Sequence, residues 1–123
     1  MKILIVDDST AMRAIIRRAL RHAGYEGSSV IEARDGAEAL ATVQRDSPDI
    51  VLSDWNMPNM SGLELLQAIR REGLRVQFGF ITSEASAAVR HDAAEAGALF
   101  LVTKPFTPEI LQKTLAAALS AVA

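Results

Sequence analysis

The chain has 123 residues, half of them hydrophobic and 23% charged, with a formal net charge of -2 and no cysteine. Residues 1–123 therefore read as one domain of ordinary size, able to build a core and not compositionally disordered. The near-neutral charge balance gives no general pull toward nucleic acid or anionic membrane, and the lack of cysteine excludes disulfides and thiolate chemistry.

Met1-Lys2 leads straight into the apolar run Ile3-Leu4-Ile5-Val6. That run is too short for a signal-peptide core, and Asp7-Asp8 follow at once. No apolar stretch approaches the roughly 20 residues that a membrane helix needs. The expectation is a soluble, cytoplasmic, monomeric protein.

Residues 3–6 read as a first buried strand. A helix is expected from about Ser9 to Ala23, with Met12, Ile15, Ile16, Leu20 and Ala23 at helical spacing and Arg13, Arg17, Arg18 and Arg21 on the other side. Gly24 stands where a helix ends. The second strand, about 27–33, is diluted by Gly27-Ser28-Ser29, which suggests a sheet edge. Arg34-Asp35-Gly36 is a turn, and a second helix follows over about 36–46.

Ile50-Val51-Leu52-Ser53 is a short buried strand between turn signals, Pro48 before it and Pro58 after it. Ser61-Gly62-Leu63-Glu64 opens the third helix with a capping box, and Gly73 stops it. The fourth strand is about 76–81. An alanine-rich helix follows to about Ala96 and is closed by Gly97. Residues 99–102 form the fifth strand. The last helix begins near Pro108, a suitable first residue, with a stripe of Ile110, Leu111, Leu115, Ala118, Leu119 and Val122.

Five β–α units in strict alternation mean an α/β fold, a five-stranded parallel sheet with helices on both faces. A frequent strand order for such sheets is the flavodoxin-like 2-1-3-4-5, which sets strands 1 and 3 side by side at the switch point. Asp7-Asp8 follow strand 1, Asp54 follows strand 3, Thr82 ends strand 4 and Lys104 follows strand 5. All four positions fall on the carboxyl rim, where ligands bind in open α/β sheets.

Three acids so placed are too crowded to stay charged unaided. Two carboxylates about 4 Å apart repel by roughly 4 kcal/mol at an effective dielectric near 20. Either a proton is shared or a divalent cation sits there, and oxygen-only ligands suit Mg²⁺ or Mn²⁺ over zinc. A carboxylate nucleophile, a hard cation, the Thr82 hydroxyl and the Lys104 ammonium together make a phosphoryl-transfer site, with an aspartyl phosphate as a feasible intermediate. Simpler roles compete at each position: Asp7-Asp8 could cap the first helix, and Thr82-Ser83 the fourth. Trp55, Met57 and Met60 fit packing, and His22 and His91 fit plain surface positions.

Asp7-Asp8, Asp54, Thr82-Ser83 and Lys104-Pro105-Phe106, in that order and spacing, resemble the response-regulator receiver domain over the whole chain, with nothing left for an output domain. The stretch from Asp54 to Leu66 is particularly similar to receivers that stand alone as chemotaxis regulators. The resemblance implies that Asp54 accepts phosphate from a histidine kinase, a histidine phosphotransfer protein or a small phosphodonor. It implies Mg²⁺ bound directly by Asp8, Asp54 and the carbonyl of Asn56, with Asp7 acting through water. Thr82 and Lys104 would contact the phosphoryl oxygens, and Asn56 and Glu84 would set water access to them. The Lys104–Pro105 bond would be cis.

A downstream protein, such as a flagellar motor component, would bind the face made by the fourth helix, fifth strand and fifth helix, about 85–123. The arginine-rich first helix can serve for phosphodonor docking. In chemotaxis receivers an aromatic residue usually stands three places before the lysine. That position is Leu101 here, and the neighbouring Phe100 should face the other way.

Two other functions fit less well. A Mg²⁺-dependent aspartyl phosphatase would carry D-x-D after strand 1 and a cap insertion. An FMN carrier would need a Ser/Thr/Gly-rich phosphate loop where Asp7-Asp8 stand. The reading is a switch and not an enzyme acting on other substrates.

Overall fold

The computed structural model describes residues 1–121. Val122, expected on the stripe of the last helix, lies outside the described residues. The elements alternate as β1 (Lys2–Val6), α1 (Thr10–Leu20), β2 (Ser29–Ala33), α2 (Gly36–Asp46), β3 (Ile50–Ser53), α3 (Gly62–Arg71), β4 (Gln77–Thr82), α4 (Ala87–Glu95), β5 (Leu101–Thr103) and α5 (Pro108–Ala121). The five strands form one parallel sheet in the order β2-β1-β3-β4-β5. This is the doubly wound α/β architecture expected from the sequence, with β2 at one edge.

Strand alternation splits the core into two layers. Leu4, Val6, Val51, Phe78 and Phe80 point to one face, under Ala39 and Val43 of α2, Leu65, Leu66 and Ile69 of α3, and Ala93 of α4. Ile3, Ile5, Ile50, Leu52, Ile81 and Val102 point to the other, under Ile16, Ala19 and Leu20 of α1 and Leu111 and Leu115 of α5. Because β1 and β3 are buried on both faces, they read as unbroken apolar runs.

The helix starts are set by side-chain caps. Ser9 caps α1, Asp35 caps α2, Ser61 caps α3 within a complete capping box, and Ser86 caps α4. Asp7-Asp8 and Thr82-Ser83 therefore do not act as helix caps, which leaves their polar atoms for other work. α1 runs on through a wider turn, Arg21–Tyr25, and Gly24 at φ 98° turns the chain out of it.

Three expectations need correction. The second strand begins at Ser29, not Gly27. The fifth strand begins at Leu101, not Leu99, although Leu99 N–H already donates to the Phe78 carbonyl at 2.8 Å. Arg13, expected on the side of α1 opposite the apolar stripe, is buried, while Ile15 of that stripe is half exposed. No helix among the described residues is long and apolar enough to cross a membrane.

Candidate phosphoryl-acceptor and metal site

The carboxyl rim is built by the sheet's own hydrogen bonds. Asp54 N–H donates to the Val6 carbonyl at 2.9 Å, Lys104 N–H to the Thr82 carbonyl at 2.9 Å, and Asp7 N–H to the Ala33 carbonyl at 3.2 Å. The residues just beyond β1, β3 and β5 are thereby held level with one another. One carboxylate oxygen from each of Asp7, Asp8 and Asp54 lies within 4.8 Å of the other two. The three acids expected to converge do so.

Their environments differ. Asp7 is buried, Asp8 exposed and Asp54 intermediate. Asp7 Oδ1 accepts from Ser9 N–H at 2.9 Å and Asp54 Oδ1 from Trp55 N–H at 2.6 Å. Lys104 reaches across from beyond β5, and its Nζ donates to Asp7 Oδ2 at 2.8 Å and to Asp54 Oδ2 at 3.1 Å. Burial alone would lower the pKa of Lys104. The hydrogen bond to Asp7 and the charges of Asp54 and Asp7 outweigh it, so the ammonium form is favoured.

Three carboxylates and one ammonium leave two negative charges at the rim. That deficit, the all-oxygen donor set and the exposure of Asp8 fit a hard divalent cation. The Asp54 carboxylate is open enough to meet a phosphodonor, its side chain being 14% exposed against 2% for Asp7.

Thr82 is fully buried at the end of β4, and its Oγ1 accepts from Glu84 N–H at 3.1 Å, which leaves the hydroxyl hydrogen to donate. Asn56 and Glu84 are exposed. Asn56 makes no side-chain hydrogen bond to the acids among the described residues. The Lys104–Pro105 bond is cis. Trp55 is partly buried, with its ring 5.0 Å from that of Phe80. Leu101 packs with the α2–α4 layer and Phe100 with the α1–α5 layer, on opposite faces as the strand alternation required.

The sequence reading missed the groups behind Asp7. Arg13 donates from Nη1 to the Asp7 carbonyl at 2.7 Å and from Nε to Glu32 Oε1 at 2.8 Å. Glu32 lies on the edge strand β2 and also pairs with Arg17 at 2.7 Å. The available signal was a lone acid in β2, set between Ile31 and Ala33, together with two arginines four residues apart on one helix face.

The model of the response regulator receiver domain matches residues 3–116. The chain belongs to that family. Among curated relatives, this receiver is 41% identical over 117 residues to the chemotaxis protein CheY of Pseudomonas aeruginosa, covering 94% of this chain and 93% of that one. It is 38% identical over 118 residues to CheY1 of Helicobacter pylori, covering 94% of each. Among solved structures, the chemotaxis response regulator CheY4 of Vibrio cholerae superposes on the receiver with a TM-score of 0.83 at 38% identity, covering 95% of this chain and 97% of that one.

Proposed function

We propose that the protein is a phosphorylation-activated response regulator of a two-component system, with Asp54 as the phosphoacceptor. A carboxylate oxygen of Asp54 attacks the phosphorus of a phosphohistidine on a kinase or phosphotransfer protein. The P–N bond breaks, and the departing imidazole takes up a proton. Attack by water on the acyl phosphate later returns Asp54 and inorganic phosphate. The chain thus promotes only its own phosphorylation and dephosphorylation and turns over no separate substrate.

Asp7, Asp8, Asp54 and Asn56 would hold Mg²⁺ (or Mn²⁺), which when bound neutralises charge on the transferring phosphoryl oxygens. Lys104 contributes a second positive charge to those oxygens, and Thr82 offers its hydroxyl. Output is a protein contact on the face of α4, β5 and α5, about 85–123, of which 122–123 lie outside the described residues. The chemotaxis relatives support a role in chemotaxis, with a flagellar motor component or another phosphorelay protein as partner. The setting is the cytoplasm, and the working form is a monomer.

The observation that carries this reading is the convergence of Asp7, Asp8 and Asp54 on one rim, with Lys104 bridging two of them. Incubation with radiolabelled acetyl phosphate and Mg²⁺ is expected to label the unaltered protein covalently. Asp54→Asn is expected to abolish the label while circular dichroism is unchanged. Undiminished labelling of that variant at another residue refutes the assignment.

A further inference from the structure

We propose that Arg13, anchored by Glu32 of the edge strand, is a positioning residue for the cation-binding acids. This role depends on the reading of Asp7, Asp8 and Asp54 as a Mg²⁺ site.

Arg13 is only 8% exposed. A guanidinium is costly to bury unless its donors and its charge are matched, and an apolar residue would fill the same space without that cost. Here the donors are met by acceptors from three places: the loop after β1, the first residue of α1 and the edge strand β2. Nη1 holds the Asp7 carbonyl at 2.7 Å, Nη2 approaches Thr10 Oγ1 at 3.2 Å, and Nε holds Glu32 Oε1 at 2.8 Å.

The Asp7 carbonyl belongs to the peptide unit that joins Asp7 to Asp8. Fixing its direction fixes the backbone from which the Asp8 carboxylate departs. That control matters because Asp8 is exposed, and no side-chain hydrogen bond among the described residues restrains its carboxylate. Glu32 has a second part. Its carboxylate reduces the positive charge that the buried guanidinium presents to an arriving cation. Arg17, bonded to Glu32 Oε2 at 2.7 Å and 3.1 Å, keeps that carboxylate in place.

The test is a Mg²⁺ titration followed by the fluorescence of Trp55, the single tryptophan, which directly follows Asp54 and whose backbone N–H donates to the Asp54 carboxylate. Arg13→Gln is expected to weaken Mg²⁺ binding about tenfold, the usual scale for removing a group that orients a metal ligand. Acetyl-phosphate labelling should fall at low Mg²⁺ and recover at saturating Mg²⁺. A lowered melting temperature with unchanged Mg²⁺ affinity overturns the proposal, because it shows a structural role only. Should Arg13→Gln fail to fold, Glu32→Gln carries the same test, its side chain being 31% exposed. Weaker Mg²⁺ binding supports the role, and unchanged affinity removes it. If the unaltered protein neither binds Mg²⁺ nor takes label, the site reading and the positioning role fall together. If it does both and the variants match it, the positioning role alone falls.

Discussion

Two cationic side chains hold the acids from opposite sides. Lys104 sits in front, bonded to the carboxylates of Asp7 and Asp54, while Arg13 sits behind, bonded to the Asp7 carbonyl. Glu32 completes the rear group, and its ionisation has a readable consequence. Burial would raise the pKa of its carboxyl, but the hydrogen bonds and charges of Arg17 and Arg13 more than offset that and hold it below the ordinary 4.5. A carboxyl with a depressed folded-state pKa adds stability above its unfolded pKa and loses it as pH falls through the folded one. The stability gap between the unaltered protein and Glu32→Gln should therefore be full at neutral pH and shrink below about pH 4.5. Urea denaturation across a pH series measures it, and a gap independent of pH would show that the ion pairs contribute nothing.

At the next scale, the loop between β3 and α3 places Asp54. It is pinned at both ends: Asp54 N–H bonds to β1, and Gly62 N–H donates to the Trp55 carbonyl at 2.8 Å. Gly62 begins α3 under the Ser61 capping box, and its missing side chain is what permits the closure. A Cβ there would overlap the Asp54 carbonyl oxygen and lie 2.8 Å from the Phe80 ring. The backbone atom cannot step aside without moving Asp54. Gly62→Ala should destabilise the fold by about 1–3 kcal/mol, the range for forcing an extra methyl group into a packed site. It should also reduce acetyl-phosphate labelling of Asp54. An unchanged urea midpoint would mean that the loop can relax without strain. Met60 makes a similar close contact over Gly36, tying the loop to the start of α2.

Across the whole molecule, the proposed function requires a signal to travel from the rim to the face of α4, β5 and α5. Thr82 is placed to begin it, since its hydroxyl holds Glu84 N–H in the loop that leads to α4. Farther along, Leu101 stands where an aromatic side chain is usual in chemotaxis receivers. A cavity of about 160 Å³ lies beside it, lined in part by Arg90, Ala93 and Phe100. Phe100 cannot stand in for that aromatic, because its ring is lodged on the other face of the sheet over Gly79, in space that a Cβ would claim. We propose that switching relies on the Thr82 loop and α4, without a swinging side chain at 101. With a phosphate mimic and Mg²⁺, partner affinity should change while the Leu101 methyl NMR signals report one rotamer and unchanged exposure. A large inward movement of Leu101 would contradict this assignment.

The sequence by itself determined the five β–α units, the bounds of α2 and β3, the capping box of α3 and the set of rim residues. Those features rest on local chemistry: hydrophobic period, turn residues and cap spacing act over a few positions and need no distant partner. It also carried the family pattern, because Asp7-Asp8, Asp54, Thr82 and Lys104-Pro105 each follow a strand at fixed spacing. Only the tertiary structure decided that Arg13 is buried, that Glu32 pairs with it behind the acid site, and that Phe100 fills the space left by Gly79. Whether a charged side chain is solvated or buried depends on the partner packed against it. For Arg13 that partner is 19 residues away on strand β2. Helix periodicity could not supply it, and the sheet register did.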